Sequence, residues 1–205
     1  MAPHAVKHRL YFALRPDAAA ARAATWLTAA ACGRHGLAAP PMSAKRLHVS
    51  LNFLHRGDTC PDPRLATRAL AAVRAIEVRP FRVAFNRLVS WKRTDPQSRP
   101  LVLVGDEGVI GVDWLRGEIE GVLAEAGLVQ ADGRERWTHM TVLWGAHQVD
   151  ERLREPIAWT VGDVVLLDSV AGEGRQVTLG CVPLTPAPPP ALRAWRPGPR
   201  RSAAR

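Results

Sequence analysis

Two eight-residue stretches of this chain carry one pattern. Arg46-Leu47-His48-Val49-Ser50-Leu51-Asn52-Phe53 and Trp137-Thr138-His139-Met140-Thr141-Val142-Leu143-Trp144 each set histidine, apolar, hydroxyl, apolar inside a strand-like run. Their histidines lie 91 residues apart in a chain of 205, close to the half-length spacing of a duplicated unit. In a strand, residues two apart share a face. His48 and Ser50 therefore project together, as do His139 and Thr141, while Leu47, Val49, Leu51 and Phe53 turn the other way into a core. The chain must then fold so that two strands each offer an imidazole and a hydroxyl to a surface and bury their reverse sides.

Around the motifs, short β-like runs alternate with helical ones. Residues 10–14 read as a strand, and 17–32 as a helix with Asp17 as N-cap, Ala23, Trp26, Leu27 and Ala30 on one face, and Gly33 as stop. A second strand is expected over 46–54. Asp62-Pro63 opens a helix striped by Leu65, Ala69, Leu70, Val73 and Ile76, followed by strands near 81–91 and 101–104 with a polar turn over 93–99 between them. A third helix spans 112–126, with Leu115, Ile119, Val122 and Leu123 inward and Gly127 at its end; strands at 137–144, 159–168 and 176–182 complete the chain. The fold class is α+β, in two similar halves.

A chain of this length can bury roughly 70% of its unfolded surface, enough for one domain over residues 1–182, and 47% hydrophobic with 23% charged residues argues against disorder over most of it. Cys32, Cys60 and Cys181 are far apart and odd in number, which builds neither a disulfide framework nor a metal knuckle and fits a reducing cytoplasm. No apolar run reaches the roughly 20 residues of a membrane span. The net charge is +9, yet 25 of the 28 basic residues are arginines in an alanine-rich chain, the mark of a GC-rich coding bias. Five of those charges (Arg193, Arg196, Arg200, Arg201 and Arg205) lie in residues 183–205, with no acid and seven of the 17 prolines. That segment reads as a disordered basic tail, with Trp195 docking back, on a body of charge +4.

Two imidazoles facing one cleft are the minimum equipment for opening a cyclic phosphodiester without a metal. One takes a proton from water and the other gives a proton to the leaving ribose oxygen; each transfer typically contributes ~10²–10⁴-fold. Ser50 and Thr141 can donate hydrogen bonds to the non-bridging oxygens as charge shifts during in-line attack. One His-x-Ser is a common strand pattern; the repeated pair carries the weight.

With these residues in view, the chain resembles the two-histidine phosphoesterases, in the branch of 2′-5′ RNA ligases and RNA 2′,3′-cyclic phosphodiesterases. The resemblance rests on Arg9-Leu10-Tyr11-Phe12-Ala13-Leu14, Leu47 to Leu54 and His139-Met140-Thr141-Val142-Leu143, and covers residues 9–182 in element order. It implies a bilobal, pseudo-duplicated LigT-like α+β fold, with antiparallel-rich sheets around a central cleft and helices outside. It also implies hydrolysis of 2′,3′-cyclic phosphates on RNA ends or small nucleotides with no metal or other cofactor; the chain is expected to act as a monomer. By the same analogy His48 and His139 are the acid–base pair and Ser50 and Thr141 bind phosphate. Ser50 stands where the family more often has threonine, and Trp144 near the place of a phosphate-holding arginine. Arg46, expected on the strand face of His48, Ser50 and Asn52, is the candidate replacement; Trp144 can instead stack on a base or pack at a strand end.

Other features carry less. Tyr11 alternates with Leu10 and Phe12 and can reach the cleft or pack at an edge. His55 and His147 follow the motif histidines but lack further ligands at metal-site spacing, and read as solvated loop residues. No GxxxxGK[ST] loop, dinucleotide fingerprint or G-x-S-x-G elbow occurs, so ATP-dependent ligation, nicotinamide chemistry and serine hydrolysis find no support. Two alternatives stay open: a non-catalytic RNA- or nucleotide-binding module on the same cleft, and a 2′-5′ phosphodiesterase acting on another nucleotide.

Overall fold

The structure, a computed structural model, describes residues 7–92, 95, 98–128, 137–146, 148–171 and 174–185. Among these, eight strands form one sheet: β1 (Lys7–Leu14), β2 (Val49–Gly57), β3 (Phe81–Ser90), β4 (Arg99–Val104), β5 (His139–Gly145), β6 (Asp150–Val161), β7 (Asp163–Ala171) and β8 (Arg175–Pro183). Their order is β6-β3-β4-β5-β2-β1-β7-β8, antiparallel at every pairing. Each side of the sheet thus holds four strands, and the motif strands β2 and β5 meet in the middle. The helices are α1 (Ala18–His35), α2 (Pro63–Val73) and α3 (Ile110–Glu125).

Strand alternation sends Leu10, Phe12 and Leu14 of β1, Val49 and Leu51 of β2, and Met140 and Val142 of β5 into one core shared with all three helices. Each such fully buried side chain is worth about 1.5–3 kcal/mol relative to exposure. The opposite face carries a smaller apolar group, Tyr11, Ala13, Phe53, Val165 and Leu167. Helices therefore cover one face of the sheet, and the motif side chains point away from them.

α1 corrects the expected helix face. Asp17 does cap it, its side chain accepting from the Ala20 N–H, but the buried residues are Ala20, Ala21, Ala24, Thr28 and Ala31, and Trp26 is 74% exposed. Small side chains let the helix lie close to the sheet, and the buried Thr28 hydroxyl donates to the Ala24 carbonyl. The helix stops at Gly36, which takes the left-handed conformation at φ 61, rather than at Gly33. α2 and α3 follow the expected stripes, with Ala69 and Val73, and Val112, Leu115, Ile119 and Leu123, buried; Val122 is only partly buried.

Three strand expectations change. Residues 44–46 form a short 3-10 turn and β2 begins at Val49, so Arg46, Leu47 and His48 precede the strand instead of lying on it, and Trp137, 73% exposed, precedes β5. The run over 159–168 is two strands turning at Gly162, β6 and β7. The first half of β6, Asp150 to Glu155, is charged and mostly exposed because β6 is an edge strand, where charge guards the open ladder; no apolar alternation announces it. Near the end of the described residues Leu184 packs into the core. The rest of the expected tail beyond Thr185, part of the 93–99 turn, and His147 lie outside the described residues.

Candidate active site

Val49 of β2 pairs with Met140 of β5, and both immediately follow a motif histidine. Continuing that antiparallel register sets His48 beside Thr141 and Ser50 beside His139. Directly opposed residues bring their Cβ atoms to about 4.5–5.5 Å, so the two imidazoles and two hydroxyls form one block on the helix-free face.

Both motif strands then bulge at the same place. On β1, Tyr11 and Ala13 are two apart, but their partners on β2, Phe53 and Ser50, are three apart. On β4, adjacent Leu101 and Val102 face Leu143 and Thr141 of β5. One extra residue in each strand reverses the alternation beyond the hydroxyl. Phe53, expected in the core, is turned to the cleft, and Trp144 is turned there at the equivalent position of the second motif. Asn52 is displaced from the expected face: it is buried, and its Nδ2 donates to the Arg116 carbonyl of α3.

The resulting cleft has a volume of about 460 Å³. All seven residues singled out from the sequence line it: His48, His139, Ser50, Thr141, Arg46, Tyr11 and Trp144. So do Arg9, Arg56, Lys92, Trp91 and Gln176, which sequence reasoning misses. Four cations and no carboxylate line this space, a composition that fits an anionic ligand. Arg46 reaches it from the 3-10 turn. Arg9 is signalled only by standing two residues before Tyr11 on the same strand face; Gln176 lies in the expected last strand with nothing to mark it.

The histidines are held alike from one side and differently from the other. His48 Nδ1–H donates to the Arg46 carbonyl at 2.7 Å, and His139 Nδ1–H donates to the Trp137 carbonyl at 2.9 Å, each two residues back. Both bonds fix the tautomer that presents Nε2 as the proton-accepting atom. Gln176 Nε2 also sits 3.3 Å from His48 Nδ1, but a donating Nδ1 cannot accept, and the shorter carbonyl contact decides its role. Tyr11, 3% exposed, donates its hydroxyl to His48 Nε2 at 3.1 Å and accepts from Gln176 Nε2 at 3.1 Å. Burial raises the Tyr11 phenol above its usual range, keeping it a proton-bearing donor. Burial also lowers the His48 imidazole below its usual 6.5, against the opposing pull of the Arg46 carbonyl. His139 instead packs against Trp91, ring centroids 4.2 Å apart and planes tilted by 53°.

Behind the site, one arginine braces both motifs. Arg116 of α3, its side chain 12% exposed, donates from Nη2 to the Ser50 carbonyl and to Thr138 Oγ1, both at 3.3 Å, and from Nη1 to Asp113 at 2.7 Å. Thr138, next to His139, also donates to Asp113 at 2.7 Å. His55, expected in a loop, lies in β2 and donates from Nε2 to the Thr59 carbonyl. No group of three or more His, Cys, Asp or Glu able to hold a metal ion comes together among the described residues. No described helix is long and apolar enough to cross a membrane.

No family model matches the chain, and no curated protein matches it. Solved structures do. Escherichia coli LigT is 21% identical, with a TM-score of 0.66 over 88% of this chain and 99% of its own. TT0787 of Thermus thermophilus is 19% identical, with a TM-score of 0.60 over 86% and 97%. Usb1 of Kluyveromyces marxianus is 14% identical, with a TM-score of 0.51 over 87% and 98%. LigT itself has also been solved with phosphate, 3′-AMP, ATP and NADP+. The chain thus has the LigT-like fold, an α+β arrangement around an eight-stranded antiparallel sheet.

Proposed function

We propose that this protein is a two-histidine phosphoesterase that hydrolyses 2′,3′-cyclic phosphates, on RNA ends or small nucleotides, to 2′-phosphates. The observation that carries this reading is the Val49–Met140 pairing, which brings the imidazole just before β2, the imidazole that opens β5 and two strand-borne hydroxyls together in a cleft lined by four cations and no acid. The shared fold with LigT, solved with phosphate and with nucleotides, supports the same ligand class.

In this reading the phosphate sits between the histidines, its non-bridging oxygens accepting from Ser50 and Thr141 and facing Arg46 and Lys92. His48 is the base. Its lowered basicity keeps it neutral near pH 7, and Nε2, which accepts the Tyr11 hydroxyl in the free site, takes the water proton once that contact gives way, whereas an acid must hold its proton until the transition state. The water oxygen bonds to phosphorus as its proton passes to His48 Nε2; the P–O3′ bond breaks as His139 gives its Nε2 proton to O3′. A 2′-phosphate and a free 3′-hydroxyl remain, and the proton on His48 returns to His139 through solvent. With a 5′-hydroxyl in place of water as the nucleophile, the same steps make a 2′-5′ linkage without ATP. Trp144, 44% exposed at the cleft, is a stacking surface for a base.

A substrate panel tests this. A nucleoside 2′,3′-cyclic phosphate should be turned over and give only the 2′-phosphate. Turnover confined to linear 2′-5′ dinucleotides would replace the reading with the other phosphodiesterase activity, and salt-sensitive RNA binding with no turnover would make the chain a binding module.

A further inference from the structure

Beyond the histidine block, the cleft floor is built in rows across the strands. Ala13 of β1 stands beside Ser50 and Val165, and Tyr11 beside Phe53 and Leu167. The next row outward is polar: Arg9 of β1 is paired with Arg56 of β2 on one side and Ser169 of β7 on the other. All three of its members line the cleft. An apolar floor thus separates two polar ends, the histidine block and the arginine row, on one face of the sheet.

Two arginines directly opposite each other across a ladder repel, and an anion shared between them turns the pair favourable. Arg56 is held in place by stacking, its guanidinium carbon 3.7 Å from the Phe53 ring centroid. Beyond the row the surface opens into a second hollow of about 280 Å³, lined by His8, Arg9, Arg56, Gly57 and the carboxylate-bearing Asp58. From Ala13, beside Ser50, to Arg9 is four residues, about 13 Å along an antiparallel strand. The Arg56 guanidinium reaches back over the Phe53 ring, which shortens that gap toward the length of one nucleotide unit.

We propose that Arg9, Arg56 and Ser169 form a second phosphate subsite, which takes the 5′ phosphate of the nucleotide whose cyclic phosphate lies between the histidines. This rests on the function proposed above and narrows its substrate class to nucleotides with phosphates at both ends of the ribose, of which an RNA 3′ terminus is one. The two guanidiniums bind the phosphate oxygens through charge-assisted hydrogen bonds, and the Ser169 hydroxyl, which hydrogen-bonds Tyr11 in the free cleft, turns to donate a third. The Tyr11–Phe53 row beneath the ribose supplies the apolar floor between the two phosphates.

Calorimetric titration of the full chain with adenosine 2′-monophosphate and adenosine 2′,5′-bisphosphate tests the subsite by binding alone, without turnover. The wild type should bind the bisphosphate about tenfold or more tightly than the monophosphate, the scale of one or two hydrogen bonds to charged groups. In an Arg9→Gln/Arg56→Gln variant, which keeps an extended polar side chain and removes charge, that advantage should shrink to about twofold or less. Equal affinities in the wild type, or an advantage that survives in the variant, overturn the subsite while leaving the cyclic-phosphate reading intact. Binding of neither nucleotide overturns both.

Discussion

Val49 and Met140 face each other across the only described ladder position between β2 and β5, where the two sides of the sheet join. Every other neighbouring pair of strands is joined by four or more positions. The register of both motifs therefore depends on what braces this seam from behind, and Arg116 is a side chain that hydrogen-bonds to both.

Replacing Arg116 should act on rate more than on substrate affinity. Arg116→Met leaves the Ser50 carbonyl and Thr138 without their shared donor and lets the two strands shift relative to each other. Misplacement on the ångström scale costs up to about 10²-fold in rate. Steady-state kinetics should find kcat lowered roughly 10- to 10²-fold with KM little changed, and Arg116→Lys should restore part of it. An unchanged kcat would show that the seam holds without the brace.

The acid limb of kcat/KM should report His48. A base must be deprotonated, so activity rises with pH through its pKa; burial lowers that pKa, and the midpoint of the rise should lie below the usual histidine value of 6.5. Tyr11→Phe removes the hydroxyl that donates to Nε2 and so favours the neutral ring, and the limb should move up towards 6.5. A limb that stays in place would mean the tyrosine does not set the basicity of His48.

Two glycines separate packing from propensity. A Cβ at Gly105 would lie 2.4 Å from the Ala84 carbonyl oxygen, whereas one at Gly117, in the exposed interior of α3, meets nothing within 4 Å. Thermal unfolding should find Gly105→Ala destabilised by about 1–3 kcal/mol. Gly117→Ala should gain about 0.5–1 kcal/mol.

Much of this is legible beforehand because the motifs combine a strand period with chemistry. Positions 48, 50, 139 and 141 can be placed on one face from alternation alone, and the capping at Asp17 and the stripes of α2 and α3 follow from local signals. Phase is lost wherever a strand bulges. Nothing in residues 50–53 or 141–144 announces the extra residue, so alternation alone sends Phe53 to the core and Asn52 to the cleft. The buried face of α1 is hidden because alanines carry little periodicity beside Trp26 and Leu27, and the start of β6 because an edge strand needs no apolar face. Gln176 and the Arg9–Arg56 pair depend on long-range register, which no local window contains.

The basic tail gives a separate expectation. Removing residues after Thr185 deletes five arginines and should weaken binding to long RNA and flatten its salt dependence, by up to about 0.7 in the logarithmic slope for each lost phosphate contact. Turnover of a small cyclic nucleotide should be unchanged. A large loss there would place the tail in the site.

The central claim is that His48 and His139 together open the cyclic phosphate. It is tested most directly by turnover of a nucleoside 2′,3′-cyclic phosphate in EDTA by the wild type, His48→Ala and His139→Ala. The wild type should keep its rate in EDTA, and each variant should fall by roughly 10²–10⁴-fold. Equal rates in all three proteins would contradict the acid–base pair, and loss of the wild-type rate in EDTA would contradict a reaction run by the two histidines alone.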